Sequence, residues 1–523
     1  MDFDVIVIGS GFGGAVCSYR LSCAGASVLL LERGRRWNPN TFPRKPTDDW
    51  LWDDRSVERR HGWFDLRVFD SMSVVQGAGV GGGSLVYANI SVDARSDTFT
   101  DGWPPEIRFD MMQDQYAKVT HMLELEPVPQ GQWPERTKLL RDGARNAGFT
   151  DKFRPLDLAV RFDDNWHYGL ANPHNHSHSR KETNVVGVEQ GTCVHLGNCD
   201  IGCDVNARNT LDLNYIAGAE QHGADVRSHH IVRHVVPIQG GYEVRFDRLE
   251  EGPPVVLRPG RVTGRQVILA AGSLGSTEIL LRSQRDGFLP NLSGRVGMGW
   301  SSNGDFLTPA LHFLRPHPVD PTHGPTITAA IDLLGGEYKG QRIFVEDGGI
   351  PDIGRAWLQE LASQDADDPK KQRVILSLLP LLSGGALLQH VMPWFAQARD
   401  AADGRLSLRN GHLDLEWDIA ASRPTIDAVA SVHRKLAFVT EGMPITPITW
   451  TAGEDLITPH PLGGCNMGIS AGTGVVNHAG EVFGHPDLFV ADGAIVPKAL
   501  GLNPSKTIAA LAEHIAAELA VRL

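Results

Sequence analysis

Val5-Ile-Val-Ile-Gly-Ser-Gly-Phe-Gly-Gly14 decides the fold class. An apolar, β-branched run ends on Gly9-x-Gly11-x-x-Gly14, Ala15 to Ala24 carries apolar residues at helical spacing, and Gly25 stops it. The reading is strand, tight turn, helix. In that arrangement Gly9 permits the turn, Gly11 lets the backbone approach a pyrophosphate, and Gly14 lets helix and strand pack, so the anion rests on the helix N-terminus. A second strand, Ser27 to Leu31, ends at Glu32, 18 residues beyond Gly14, near the roughly 20 expected of an acid that meets ribose hydroxyls. A glycine triplet alone is weak evidence. The strand before it, the helix after it and the acid at that distance together point to a dinucleotide, with Phe12, Gly13 and Arg33 on the same two turns. The competing reading is a Gly-rich turn in an ordinary α/β domain.

Further segments follow in order: Gly77-Ala-Gly-Val-Gly-Gly-Gly-Ser84, Val267-Ile-Leu-Ala-Ala-Gly-Ser-Leu-Gly-Ser276, His460-Pro-Leu-Gly-Gly464, Val490-Ala-Asp-Gly493 and Gly501-Leu-Asn-Pro-Ser505. Gly77 to Ser84 holds five glycines in eight residues, which frees the backbone for positive φ and exposes amides. It reads as a loop against a ring or a pyrophosphate, or as a flexible linker. Val267 to Ala271 is a short buried-strand pattern, and Ser273 to Leu281 looks helical. Asp492-Gly493 follows an apolar strand from Leu488 to Ala491, and Pro504-Ser505 opens a long helix through Ala509, Leu511 and Ile515.

These segments, in this order, resemble the glucose-methanol-choline oxidoreductases, in particular the cholesterol-oxidase-like branch of that FAD-dependent family. The resemblance covers the cofactor framework from first strand to last helix and only thinly what lies between. It implies an α/β fold, α+β overall: a Rossmann-like FAD-binding domain interleaved with a substrate-binding domain built on an antiparallel or mixed sheet with helices. On that basis 1–95, 190–305 and 460–523 form the FAD-binding domain, and 96–189 and 306–459 the substrate-binding domain. The implied cofactor-contacting residues are Gly9, Gly11, Phe12, Gly13, Gly14, Glu32, Arg33, Gly77, Gly79, Gly82, Gly83, Ser84, Ala271, Gly272, Asp492, Gly493, Asn503 and Pro504. Val232 joins them where Ala224 to Arg227 and Ile231-Val232 resemble strands at the adenine end. Beside a pyrophosphate, Asp492 would need intervening amides or water.

Oxidising an alcohol by hydride transfer requires the hydroxyl proton to be removed or shared, and imidazole titrates near physiological pH. His460 is the candidate: Pro461 stiffens its backbone, Gly463 and Gly464 allow close approach, and the family places its active-site histidine in this motif. Asn503 is the matching second residue, able to hydrogen-bond an oxygen without titrating; its alternative is an N-cap for the last helix. Glu346, in Ile343-Phe-Val-Glu-Asp-Gly-Gly-Ile-Pro351, resembles the carboxylate that sterol oxidases use in double-bond isomerisation, and an apolar pocket would raise its pKa. Its alternative is simply the start of a turn at Gly348-Gly349.

Lys plus Arg (49) against Asp plus Glu (62) leaves a net charge of −13, which disfavours nucleic acid as a partner. The first strand begins at Val5 with no charged, apolar and cleavable leader ahead of it, so a cytoplasmic location is the expectation. Six cysteines in 523 residues give no disulfide framework. The cluster in Gly197-Asn-Cys-Asp-Ile-Gly-Cys203, with Cys193 upstream, lacks the paired spacing and fourth ligand of zinc or iron-sulfur sites, so no metal is expected. Val374 to Phe395 is apolar but broken by Pro380, Gly384, Gly385, Gln389, His390 and Pro393, too interrupted for a membrane span. It reads either as a buried helix pair or, with Ala356, Trp357 and Leu361, as an apolar lid that admits a lipid-like alcohol; transient membrane contact stays open. Arg405 to Trp417 alternates around Asn410-Gly411 and reads as a hairpin.

The resulting expectation is FAD-dependent oxidation of the CH-OH group of a bulky apolar alcohol, sterol-like, with O2 or another acceptor taking the electrons. Isomerisation through Glu346, oxidation of a sugar, choline-like or long-chain alcohol, and a non-catalytic flavin-binding role are the alternatives.

Overall fold

The computed structural model describes residues 1–70, 72–352, 359–360, 362–363, 368–377, 385–445, 450 and 455–523. Phe3–Ile8 lies in the middle of a seven-stranded sheet, parallel to Val28–Leu31 on one side and to the end of Val256–Leu269 on the other. Asp225–Arg227 adds a parallel strand beyond Val28–Leu31, and Leu488–Val490 one beyond Val256–Leu269. Val5 to Ile8, Val28 to Leu31 and Val267 to Leu269 are almost continuously apolar and fully buried, as strands covered on both faces must be. Helices Phe12–Cys23 and Ser505–Ala520 pack on each other against this sheet, joining the two chain ends. The first half of Val256–Leu269 continues into an antiparallel meander with Gly241–Glu250 and His230–Ile238.

A second, six-stranded antiparallel sheet runs in the order Met443–Pro444, Phe306–Leu311, Val391–Ala398, Gln341–Asp347, Ala329–Tyr338, Phe153–Pro155. Val345, Trp394 and Ala396 point into a core with helices Glu135–Asn146 and Arg423–Val439. Because side chains alternate along a strand, Phe344, Glu346, Phe395 and Gln397 face the other way, toward the first sheet. Between the sheets, Leu456–Thr458 pairs in parallel with Met72–Gly77 and delivers residues 459–461 to the gap.

The hairpin forms as its sequence requires: Gly404–Arg409 and His412–Glu416 pair around Asn410 (φ 53°) and Gly411 (φ 82°). The apolar stretch from Val374 is corrected in part. Pro369–Ser377 and Gly385–Leu388 are helical, but Val391–Ala398 is a central strand rather than part of a helix pair. Pro393 is tolerated there because Pro309 sits directly opposite on the neighbouring strand, so two residues without an N–H share one rung. Ala356, Trp357 and Leu361, invoked for a lid, and Pro380 and Gly384, named as breaks in the apolar run, lie outside the described residues. Among the described residues no helix is long and apolar enough to cross a membrane. All six cysteines are free; the Sγ atoms of Cys193 and Cys203 accept the amides of His195 and Ala207, a local turn-stabilising role.

Candidate active site

One cavity of about 570 Å3 runs between the sheets, of the size that suits a cofactor or ligand. Its wall includes Gly9, Gly11, Phe12, Gly13, Glu32, Arg33, Gly77, Gly82 and Gly83, then Val232, Ala271 and Gly272, then His460, Asp492, Gly493, Asn503 and Pro504. Segments from the start, middle and end of the chain thus meet around a single space. Gly14, Gly79, Ser84 and Glu346 are not on that wall, for physical reasons specific to each. A Cβ at Gly14 would stand 1.9 Å from the Gly9 carbonyl, and one at Gly79 would stand 2.4 Å from the Trp37 ring, so both glycines serve packing. The Ser84 hydroxyl donates to the Gly81 carbonyl and accepts the Leu211 amide, pinning the Gly-rich loop from behind.

The turn after the first strand leaves a helix N-terminus open to the cavity. A Cβ at Gly13 would fall 1.5 Å from the Ala491 carbonyl and one at Gly9 2.4 Å from the Ala270 carbonyl, yet at Gly11 it would meet nothing within 4 Å. Gly9 and Gly13 are therefore locked by protein, while Gly11 opens onto the cavity. Gly11 caps the helix N-terminus without a side chain, leaving its first amides for a ligand. Glu32 ends its strand on the cavity wall, accepting from the Ser10 amide (3.1 Å), the Ser10 hydroxyl (2.5 Å) and the Gly34 amide (2.9 Å). Asp492 accepts from the amides of Gly272 (2.8 Å) and Ala494 (2.7 Å) and from Ser276 (2.5 Å). It holds the N-terminus of helix Gly272–Arg285 against the strand Leu488–Val490, and burial pushes its carboxyl up to about 6. Beside Val232 the wall is charged: Arg33, Arg67, Arg233 and Arg282 interlock with Asp54, Asp65 and Glu278.

At the other end stands His460. Its Nδ1 lies 2.9 and 3.0 Å from the two carboxylate oxygens of Asp305, and Asp305 is held in turn by the Thr458 hydroxyl at 2.6 Å. The same hydroxyl accepts the His460 amide at 2.9 Å. Asp305 is fully buried, which pushes its carboxyl above the ordinary range although His460 and Thr458 pull it down. With Nδ1 engaged, Nε2 is the ring nitrogen left for the cavity. Gly463 and Gly464, at φ 78° and 103°, bend the chain so that the amide of Gly463 reaches the Gly493 carbonyl. Asn503 precedes helix Ser505–Ala520, whose N-cap is Pro504; Asn503 is therefore not a capping residue.

Glu346 lies behind Asn503. Gln397 donates to its Oε2 at 2.8 Å, and burial pushes its carboxyl up to about 8 against hydrogen bonding from Gln397 and Asn503. Glu346 Oε1 and Asn503 Oδ1 are both buried acceptors without a donor among the described residues; a proton on Glu346 supplies one. The sequence reading did not name Asp305, Thr458, Gln397 or, apart from Arg33, the arginine network. Only Thr458 carried a signal, two residues before His460.

Two family models described as GMC oxidoreductase match residues 3–288 and 400–512. The chain belongs to this family. As a GMC oxidoreductase it is an FAD-dependent enzyme that oxidises alcohols. Among its relatives, a cholesterol oxidase of Acinetobacter baumannii is 29% identical, over 98% of this chain and 93% of that protein. A cholesterol oxidase of Mycobacterium tuberculosis is 30% identical, over 98% and 90%. The fold of this GMC oxidoreductase is also that of the crystal structure of pyridoxine 4-oxidase from Mesorbium loti, with a TM-score of 0.61 at 15% identity, covering 98% of each chain. The uncapped helix N-terminus at Gly11, open on the cavity side, fits the cofactor's pyrophosphate.

Proposed function

We propose that this GMC oxidoreductase oxidises the hydroxyl of a bulky apolar alcohol, sterol-like in shape, with His460 as the proton acceptor and Asn503 as the group that orients the oxygen. The pairing of His460 with buried Asp305 carries the reading. With its Nδ1–H given to Asp305, His460 presents the Nε2 lone pair to the cavity and can take the alcohol's proton, the resulting imidazolium being stabilised by the carboxylate. Asn503 contributes an amide N–H that holds the same oxygen without changing charge. FAD, when bound, supplies the hydride acceptor, and O2 or another acceptor removes the electrons. Gly11, Phe12 and Gly13 would hold its pyrophosphate, Glu32 its ribose, Val232 its adenine, and Gly493, Asn503 and Pro504 its ring edge. Phe64, Leu307, Ile327, Ile350 and Phe395 line the same cavity and give it an apolar surface suited to a hydrocarbon body. The cholesterol-oxidase relatives support that substrate class. The division of the chain into a cofactor part (1–95, 190–305, 460–523) and a substrate-covering part (96–189, 306–459) belongs to the same proposal.

Anaerobic addition of 3-hydroxysterols, straight-chain alcohols, sugars and choline to the purified holoenzyme tests it. Loss of the flavin's visible absorbance is expected with the first two and little with the others; bleaching only by sugars or choline would refute it. A second reading, double-bond isomerisation by Glu346, is favoured by the protonated state that burial gives this carboxyl. Glu346→Gln should then spare flavin bleaching by a 5-ene-3-hydroxysterol and abolish formation of the conjugated ketone. Unchanged conjugated product would remove Glu346 from the chemistry.

A further inference from the structure

The cavity wall carries a carboxylate that the reaction at His460 and Asn503 does not use. Asp200 sits in the single 3-10 turn Cys199–Ile201, set between Gly197 (φ 76°) and Gly202 (φ 95°). Neighbouring chain fills the space behind both glycines: a Cβ at Gly197 would meet the Thr322 backbone carbonyl at 1.8 Å, and one at Gly202 the Phe42 ring at 2.6 Å. The turn is fixed from outside. Trp63 Nε1 donates to the Asp200 carbonyl at 3.1 Å, and Arg44 donates to the carbonyls of Ile201 (2.7 Å) and Gly202 (2.8 Å). This fixed turn places Asp200 on the cavity wall.

Its partners are few. Thr326 donates to Oδ1 at 3.3 Å, and no hydrogen bond to Oδ2 is found among the described residues. The neighbouring cation, Arg208, is spent elsewhere: on Asn89 Oδ1 (2.7 Å) and on the carbonyls of Ser84 (2.6 Å), Leu85 (2.9 Å) and Tyr87 (3.1 Å). The other acidic side chains of the cavity wall are matched. Glu32 and Asp492 hold amides, while Asp54 and Glu278 hold arginines. Enclosure by protein raises the Asp200 carboxyl to about 6, which leaves it mainly ionised at neutral pH. Thr326, Ile327, Gly349 and Ile350 of the second sheet's margin stand on the same cavity wall. A desolvated carboxylate with one weak partner, beside apolar side chains, rejects a purely hydrocarbon group and favours a ligand that donates to it.

We infer that Asp200 is a specificity-determining residue that selects apolar alcohols bearing a second hydrogen-bond donor, a hydroxyl or an ammonium, in addition to the hydroxyl oxidised. The inference rests on the reading of His460 and Asn503 as the reacting end. A charge-assisted hydrogen bond in such a site is worth roughly 10- to 100-fold in discrimination.

The test compares kcat/KM of the holoenzyme for matched alcohols on two frameworks. One is a straight-chain primary alcohol, its α,ω-diol and its ω-amino alcohol; the other is a 3-hydroxysterol with and without a second hydroxyl. Wild type should prefer the two-donor member of at least one framework by roughly 10-fold or more. Asp200→Leu should bring that ratio to one or below by improving the single-hydroxyl substrate as well as weakening the other. Asp200→Asn, close in shape and with flavin content confirmed by absorbance, should keep part of a diol preference and lose any preference for the amino alcohol, which separates a hydroxyl from an ammonium ligand. Ratios that are the same in wild type and Asp200→Asn, in flavin-replete protein that oxidises the single-hydroxyl alcohols, overturn the inference and leave the proposed function standing. Failure of every alcohol to bleach wild-type flavin overturns the proposed function and the inference with it.

Discussion

Asp305 and Glu346 are both fully buried carboxyls near the reacting end, yet their surroundings ask opposite things of them. Asp305 faces Nδ1 of His460, and removing its charge while keeping its shape isolates what that charge does. Asp305→Asn should lower kcat/KM by roughly 10- to 1000-fold and move the acid limb of the pH profile to lower pH, because no carboxylate then supports the imidazolium. A loss of activity with the limb unmoved would make Asp305 a packing residue only. Glu346 has no cation paired with it among the described residues, and its carboxyl, raised by burial to about 8 from an unfolded value of about 4.5, stays protonated in the folded protein. Below about pH 4.5 both states bind the proton and stability is unaffected; between about 4.5 and 8 the unfolded chain releases it first and stability falls as pH rises. Glu346→Gln removes that titration, so its stabilisation over wild type should grow from near zero at about pH 4 to about 3–5 kcal/mol at about pH 9. Denaturant midpoints across this range measure it, and a gap independent of pH would contradict the assignment. At this scale the sequence exposed His460 and Asn503 because each sits in a local glycine- or proline-marked motif. It was silent on Asp305, whose partner is 155 residues away, and on Gln397, which reaches Glu346 only through strand register.

The glycine turn after the first strand shows how far an element can be read from local pattern. Strand, turn and helix were legible because each has its own short-range signature, but the division of labour among the glycines was not, since it depends on what packs behind them. Gly13 abuts the Ala491 carbonyl from the other end of the chain, whereas Gly11 faces open space in the protein. Gly13→Ala should therefore fail to give soluble folded protein. Gly11→Ala should fold with a circular dichroism spectrum like wild type and bind FAD roughly 10-fold or more weakly, the added methyl standing where the pyrophosphate must approach. Equal flavin affinity in Gly11→Ala would show that the turn does not hold the cofactor. Val391–Ala398 marks the opposite case. Its apolar run with internal proline gives no period that separates strand from helix; what makes it a strand is pairing on both edges with Phe306–Leu311 and Gln341–Asp347, information that lies outside the segment.

Across the whole molecule, the order of motifs was enough to say that the chain ends meet, because cofactor-type segments at both termini have to share one ligand. The contacts that close the chain on itself were not readable, since they depend on which residues of two distant helices face each other. Helix Ser505–Ala520 is buried along most of its length, and within it Glu513 is fully buried. Its carboxylate is held by Arg20 of the first helix through Nε at 2.7 Å and a second nitrogen at 2.9 Å, and by the Tyr215 hydroxyl at 2.8 Å. Arg20 keeps a third of its side-chain surface exposed, whereas its removal strands a carboxylate in the interior. Arg20→Ala should cost about 2–4 kcal/mol, against about 1 kcal/mol for Tyr215→Phe, which deletes one of three donors. The double variant Arg20→Ala with Glu513→Gln should recover part of the loss, because no charge is then left unpaired. Because the two helices flank the turns at Gly11 and Asn503, loss of Arg20 should also speed flavin release on dilution, which fluorescence of the freed cofactor follows. Stability lost with flavin retention unchanged would mean that the helix pair supports the sheet alone and does not hold the two halves of the cofactor site together.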